Sequence, residues 1–191
     1  MSLALLDWRR QVAALYAGIR AESDPEAAHA MWCERRQELF ASHPESADRS
    51  ATLRHAPYDP AYRFEATVRT DVEPARLEIP TATDGIVPFE RIGLVELGPW
   101  GSLDVWWLAS YGGGVWLPIR DGNPQTYGGG RYVLDTVKGA DLGSVGDGTL
   151  VVDLNFAYNP SCAYDERWAC PLAPVGNVIE GSIEAGELLP A

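Results

Sequence analysis

Apolar positions recur along the first 41 residues with the spacing of helices and then change period. Trp8, Val12, Leu15 and Ile19 fall at offsets of four, three and four, so residues 3–20 present one greasy face of an amphipathic helix. Asp24 precedes Pro25 and Glu26, an N-cap followed by proline at the first helical position. Ala28, Met31, Trp32, Leu39 and Phe40 then continue a second helix to about Ala41, before Ser42-His43-Pro44. Residues 44–60 are polar and proline-punctuated and read as a connection. Beyond them, short β-prone runs alternate with Gly, Pro, Asn and Asp, which predicts antiparallel strands near 61–70, 74–80, 91–97, 102–110, 114–120, 130–137 and 149–156. Tyr111-Gly112-Gly113-Gly114 marks a tight reversal between two aromatic-rich strands, with Trp106 and Trp107 on opposite sides. In 151–156 the two-residue period places Val152, Leu154 and Phe156 on one face and Asp153 and Asn155 on the other. The proline-rich tail from Asn159 reads as an extended arm, with one last strand near 178–184.

The expected fold class is therefore mainly β within α+β: an antiparallel barrel or strongly bent sheet with two N-terminal helices across one end or face. Residues 1–191 form one domain on this reading, with a helical segment at 1–43 and a β-rich body with its C-terminal arm at 58–191. The chain is 46% hydrophobic, with seven Trp, eight Tyr and four Phe, enough to build a core without staples.

Charge narrows the partners. A formal net charge of −12, with basic residues scattered singly or in pairs, opposes a phosphate backbone, so no nucleic-acid partner is expected. The N-terminal segment has no charged region before an apolar stretch, and no apolar run approaches a bilayer span, so the chain reads as cytoplasmic without a membrane partner. Three cysteines, one of them isolated at Cys33, also argue against a disulfide-built secreted scaffold.

Four segments carry a resemblance: Trp116-Leu117-Pro118-Ile119-Arg120-Asp121, Thr126-Tyr127-Gly128-Gly129-Gly130-Arg131-Tyr132, the run from Asp153 through Ala157-Tyr158-Asn159-Pro160-Ser161-Cys162 to Tyr164, and Cys170-Pro171-Leu172. Together they resemble the bacterial domain-of-unknown-function family 1684, from about Tyr58 to Glu187. The resemblance implies a fold and a family but no activity. It departs at two places: the family usually has Phe where Ile119 stands, and Pro-Glu-Asn where this chain has Val175-Gly176-Asn177. The second difference removes a carboxylate, which this member either lacks or replaces with Glu180.

The glycines before Arg131 could present backbone N–H groups and a guanidinium to an anion. With no helix behind them they exclude a P-loop or dinucleotide fingerprint, and no cofactor is expected. The competing reading is a bulged hairpin entry in which Arg131 pairs with Asp121 or Asp135. Arg120, Asp121, Arg131, Asp135, Asp153 and Asn155 converge if their strands are neighbours. A binding cavity and a structural salt-bridge network both follow from that convergence. The candidate ligand-binding set is Arg120, Asp121, Tyr127, Arg131, Asp153, Asn155 and Tyr158 around a small anionic molecule, with Asp153 or Asp135 as general base if chemistry occurs. On the ligand reading Arg131→Ala abolishes binding and spares the fold; on the salt-bridge reading it unfolds the chain. The alternative function is a non-catalytic module whose hairpin around Trp106, Trp107 and Trp116 meets a protein partner or a second copy, giving a homodimer.

Cys162 and Cys170 are too far apart in sequence for a zinc knuckle. Two buried thiols, a disulfide pinning the arm, and a metal site recruiting a distant His29, His43 or His55 are the readings, in that order, and no metal is assigned. No His neighbours a nucleophile signature and no Gly-x-Ser-x-Gly elbow occurs, so neither a cysteine nor a serine hydrolase is supported.

Overall fold

Asp24 divides the helical segment as its sequence requires. In a computed structural model describing residues 3–81 and 85–190, its carboxylate accepts hydrogen bonds from the Glu26 and Ala27 N–H groups and starts α2 (Pro25–Ser42) after α1 (Leu3–Ala21). Tyr16 and Ile19 of α1 and Ala28 and Trp32 of α2 are buried in the main core. The Trp32 ring meets those of His55 and Phe156 edge-on, at centroid distances of 5.0 and 5.4 Å, contacts worth about 0.5–1.5 kcal/mol each beyond their burial.

Seven strands follow: β1 (Arg63–Thr67), β2 (Arg76–Thr81), β3 (Gly85–Glu96), β4 (Ser102–Leu108), β5 (Val115–Ile119), β6 (Arg131–Asp135) and β7 (Thr149–Asp153). Five of them make an antiparallel sheet in the order β2-β3-β4-β5-β6, and β1 pairs antiparallel with β7 in a second sheet. The barrel expectation is corrected here: no pairing joins β2 to β6 among the described residues, and it is the chain beyond β1 and β7 that meets the larger sheet through single bridges, Arg69 with Leu94 and Tyr158 with Tyr132. Gly93 makes the first of these crossings feasible. A Cβ there would lie 2.5 Å from Val68 and 2.6 Å from the Arg69 carbonyl.

Three further expectations change. β3 begins at Gly85, ahead of the expected 91, and pairs back along β2; Pro88 obscured this early half by its missing donor. β7 stops at Asp153, and the period-2 alternation stops with it. Asp153 caps a 3-10 turn at Leu154–Phe156, all of it buried. The last strand expected at 178–184 shrinks to one parallel bridge between Arg120 and Val178. The main core lies between the helices and the sheets, while Phe89, Trp106, Trp116 and Tyr132 form a second cluster.

Asn177 ties the arm to this second cluster, accepting from Trp106 Nε1 at 2.9 Å and donating to the carbonyls of Asp104 and Pro118. Beside it, Gly176 stands where a Cβ would come within 2.0 Å of the Asp104 carboxylate, which Arg91 holds at 3.3 Å. Gly176→Ala is therefore expected to displace Asp104 from Arg91 and to lower stability by about 1 kcal/mol in urea unfolding. An unchanged midpoint would show that the loop yields freely.

Candidate functional site

The residues singled out in the sequence do not gather in one place. Arg131 and Asp121 form a buried ion pair at 2.8 Å, with the guanidinium 0% exposed. Arg131 Nη1 also donates to the Ala185 and Glu187 carbonyls, so the fork is engaged with the C-terminal arm. Of the two partners expected for Arg131, it takes Asp121; Asp135 is 3.2 Å from Lys138. Arg120 is exposed, and its backbone pairs with the arm through the Asn177 carbonyl and the Ile179 N–H. Tyr158 stacks under Arg36, 4.8 Å from guanidinium carbon to ring centre, and Tyr127 donates to Cys162 Sγ at 3.5 Å. Cys162 and Cys170 are both free thiols. Of the hairpin's aromatic residues Trp106 and Trp116 are buried, whereas Trp107 is 41% exposed and Tyr111 at the tip is fully exposed.

Asp153 and Asn155 sit apart from these, on β7 and the turn after it. The β1–β7 register sets Arg63 opposite Asp153, Nε 4.0 Å from Oδ2. Asn155 donates to Asp153 Oδ1 from both its backbone N–H (3.0 Å) and its side-chain amide (2.8 Å), and exchanges two bonds with the backbone of Asp59. Asp153 is 1% exposed, yet it is among the residues lining a cleft of about 270 Å³. Ile19, Ala28, Val151 and Phe156 give the cleft apolar walls, and Arg20, Glu22, Arg63 and Ser144 its polar rim.

The sequence folds this way for local reasons. The helix-to-helix turn held by Asp24 brings Glu22 and Pro25 to one lip. Gly143, at φ +88°, turns the chain at the other, its N–H bonded to the Asp141 side chain at 2.9 Å. Arg20 hydrogen-bonds the Asp141 carbonyl. Burial pushes the Asp153 carboxyl up to about 6, against the lowering influence of Asn155 and Arg63. A carboxyl titrating near neutrality can exchange a proton with a bound polar group, and of the two rim guanidiniums Arg20 stands 4.0 Å from Asp141 and Arg63 3.4 Å from Glu65.

Arg63 escapes sequence reasoning because only the pairing of β1 with β7 brings it to Asp153, and Arg20 and Glu22 because only the packing of the end of α1 beside that pair places them in the same cleft. Glu187 also escapes it. Its carboxylate is 0% exposed, paired with Arg36 at 2.8 Å and bonded by the Asn159 N–H at 3.2 Å. A lone carboxylate in the apolar stretch Ala185-Gly186-Glu187-Leu188-Leu189 was the available signal, since such a group requires a buried cation.

Among the described residues these features define a mixed α+β fold, mostly β, with two helices, two antiparallel sheets and a small charged cleft beside the helix turn. The model of the family described as "Protein of unknown function (DUF1684)" matches residues 50–188, and the chain belongs to that family. A similar structure is the solution NMR structure of the uncharacterised protein from gene locus rrnAC0354 of Haloarcula marismortui. It is 29% identical with a TM-score of 0.58, over 81% of this chain and 89% of that one. No curated protein matches the chain. Among the described residues, no helix is long and apolar enough to cross a membrane, and no cluster of His, Cys, Asp and Glu side chains could hold a metal ion.

Proposed function

We propose that the protein binds a small, polar, anionic molecule in the cleft at Asp153, with Arg63 and Arg20 meeting its negative charge. The carrying observation is the coincidence, in one cleft of about 270 Å³, of a nearly inaccessible carboxylate and two rim guanidiniums. The volume lies just below the range of about 300–1,000 Å³ typical of small-molecule sites, which points to a metabolite of few heavy atoms. Apolar walls from Ile19, Val151 and Phe156 suit a short carbon skeleton. If the site performs chemistry, Asp153 is the acid–base group, and Arg63 stabilises charge developing on the substrate.

Arg131 and Asp121 support the site indirectly, by fixing the arm and β6, and Asn155 orients the carboxylate. The test is a titration of isotope-labelled protein with short-chain carboxylates and phosphomonoesters, followed by backbone amide shifts. Saturating shifts at Gly143, Ser144 and Asp153 are expected, with Arg63→Met weakening the binding about tenfold, equivalent to ~1.4 kcal/mol. Shifts elsewhere, or none at millimolar probe, would remove the assignment.

A further inference from the structure

The cleft at Asp153 carries both signs of charge, and the acids outnumber the bases. Arg63 stands 3.4 Å from Glu65 and 4.0 Å from Asp153, and Arg20 stands 4.0 Å from Asp141. Glu22, on the rim, accepts the Asp24 N–H at 3.0 Å and has no ion pair among the described residues. Two guanidiniums thus face four carboxylates, which leaves the site short of positive charge. The two oxygens of Asp153 also differ in what they receive. Oδ1 takes both donors of Asn155, whereas Oδ2 has Arg63 Nε at 4.0 Å, beyond hydrogen-bond reach. Asp153 lines the cleft and is almost wholly withdrawn from bulk solvent, so the donor for Oδ2 comes from what fills the cleft, water or ligand. A guanidinium donor lies beside that acceptor. A molecule with an amino group and a carboxylate on one carbon spans the gap with both of its charged ends.

We infer that the ligand of this cleft is a zwitterion, a small α-amino acid with a short aliphatic side chain. Its ammonium group donates to Asp153 Oδ2, with Glu22 adding negative charge, and its carboxylate meets Arg63 and Arg20. Its side chain lies against Ile19, Val151 and Phe156. The inference rests on the anion-binding reading above and adds a second charge to the molecule bound. An ammonium group beside Asp153 favours the ionised carboxylate, whereas a carboxylate arriving alone favours the protonated form. Burial, by raising this carboxyl to about 6, brings the two cases within one range of pH. The groups that share the field are Arg63 and Glu65 of β1, Arg20 and Glu22 at the end of α1, Asp141 before β7, and Tyr58, whose hydroxyl burial and the Asp153 charge push upward.

The test titrates the full isotope-labelled chain with L-2-aminobutyrate and with the molecules that lack its amino group or its carboxylate, butyrate and propylamine. The readout is the backbone amide shifts of Gly143, Ser144 and Asp153. At pH 7.5, 2-aminobutyrate is expected to bind at least about tenfold more tightly than either probe of single charge, the loss that follows deletion of one charged hydrogen bond. Between pH 5.5 and pH 7.5 its affinity is expected to rise as the Asp153 proton leaves, and that of butyrate to fall. Asp153→Asn is expected to cost 2-aminobutyrate about tenfold more than it costs butyrate. Butyrate as tight as 2-aminobutyrate, the same pH trend for both, or an equal loss of both in Asp153→Asn overturns the zwitterion and leaves the anion site standing. Propylamine as tight as 2-aminobutyrate, with butyrate silent, overturns the anion site and the inference together, and so does silence from all three at millimolar probe.

Discussion

Arg131→Ala is expected to lower the unfolding free energy by about 3–5 kcal/mol, the usual cost of removing one partner from a buried ion pair. The guanidinium is 0% exposed, pairs with Asp121 at 2.8 Å and caps the Ala185 and Glu187 carbonyls. Truncation leaves those acceptors without their donor, in a site too enclosed for bulk water. Asp121 would retain its bonds from the Asn123 N–H (2.9 Å) and the Ile183 N–H (3.3 Å), so part of the network survives. Arg131→Lys keeps a charge but loses the fork, and is expected to fall between the two. Urea unfolding of the three proteins checks the series. Arg131→Ala with a wild-type midpoint and lost ligand binding would instead return Arg131 to the role of ligand contact.

Asp153→Asn is expected to change how stability depends on pH. Burial raises the carboxyl to about 6, above the ordinary value of 3.8 that it regains on unfolding. A group that binds its proton more tightly when folded stabilises the fold fully below pH ~4, and loses that contribution as pH rises through about 6. With a gap of about two units, the wild type is expected to lose about 2–3 kcal/mol from this group between pH 4 and pH 7. The asparagine retains an Oδ1 acceptor for the two donors of Asn155 and carries no charge to bury. The difference in stability between variant and wild type is therefore near zero at pH 4 and about 2 kcal/mol in favour of the variant at pH 7. Chemical unfolding at both values measures it. A difference independent of pH would mean that Asp153 does not titrate in this range.

How far the sequence led can be judged residue by residue. The helices were legible because their signals are local. Trp8 to Ile19 repeat a helical period, and the Asp24-Pro25 start needs no knowledge of what packs against it. The hairpin of β4 and β5 was legible for the same reason, with Trp106 buried and Trp107 turned outward. Pro88 hid the first half of β3 because a proline in a strand reads as a boundary. Asp153 and Arg131 were picked out as chemical groups. What separated them was topology: β6 belongs to the five-stranded sheet and β7 pairs with β1, so the convergence expected of neighbouring strands did not gather the whole set. Arg63 meets Asp153 through a register between distant parts of the chain, and no local pattern encodes that.

Glu187 has a consequence for the order in which the chain acquires its fold. Arg36 on α2 and Arg131 on β6 both meet the stretch around Glu187, one through its side chain and the other through its carbonyl. A ribosome makes both cations long before it makes this acceptor. Arg131 already has Asp121, but until residue 187 has emerged Arg36 has no buried counterpart, and the core around Trp32 and Tyr158 cannot close over it without stranding charge. Docking of the helical segment against the sheets is thus expected to wait for the arm, and a nascent chain stalled before residue 187 should remain open to protease where the full chain resists it.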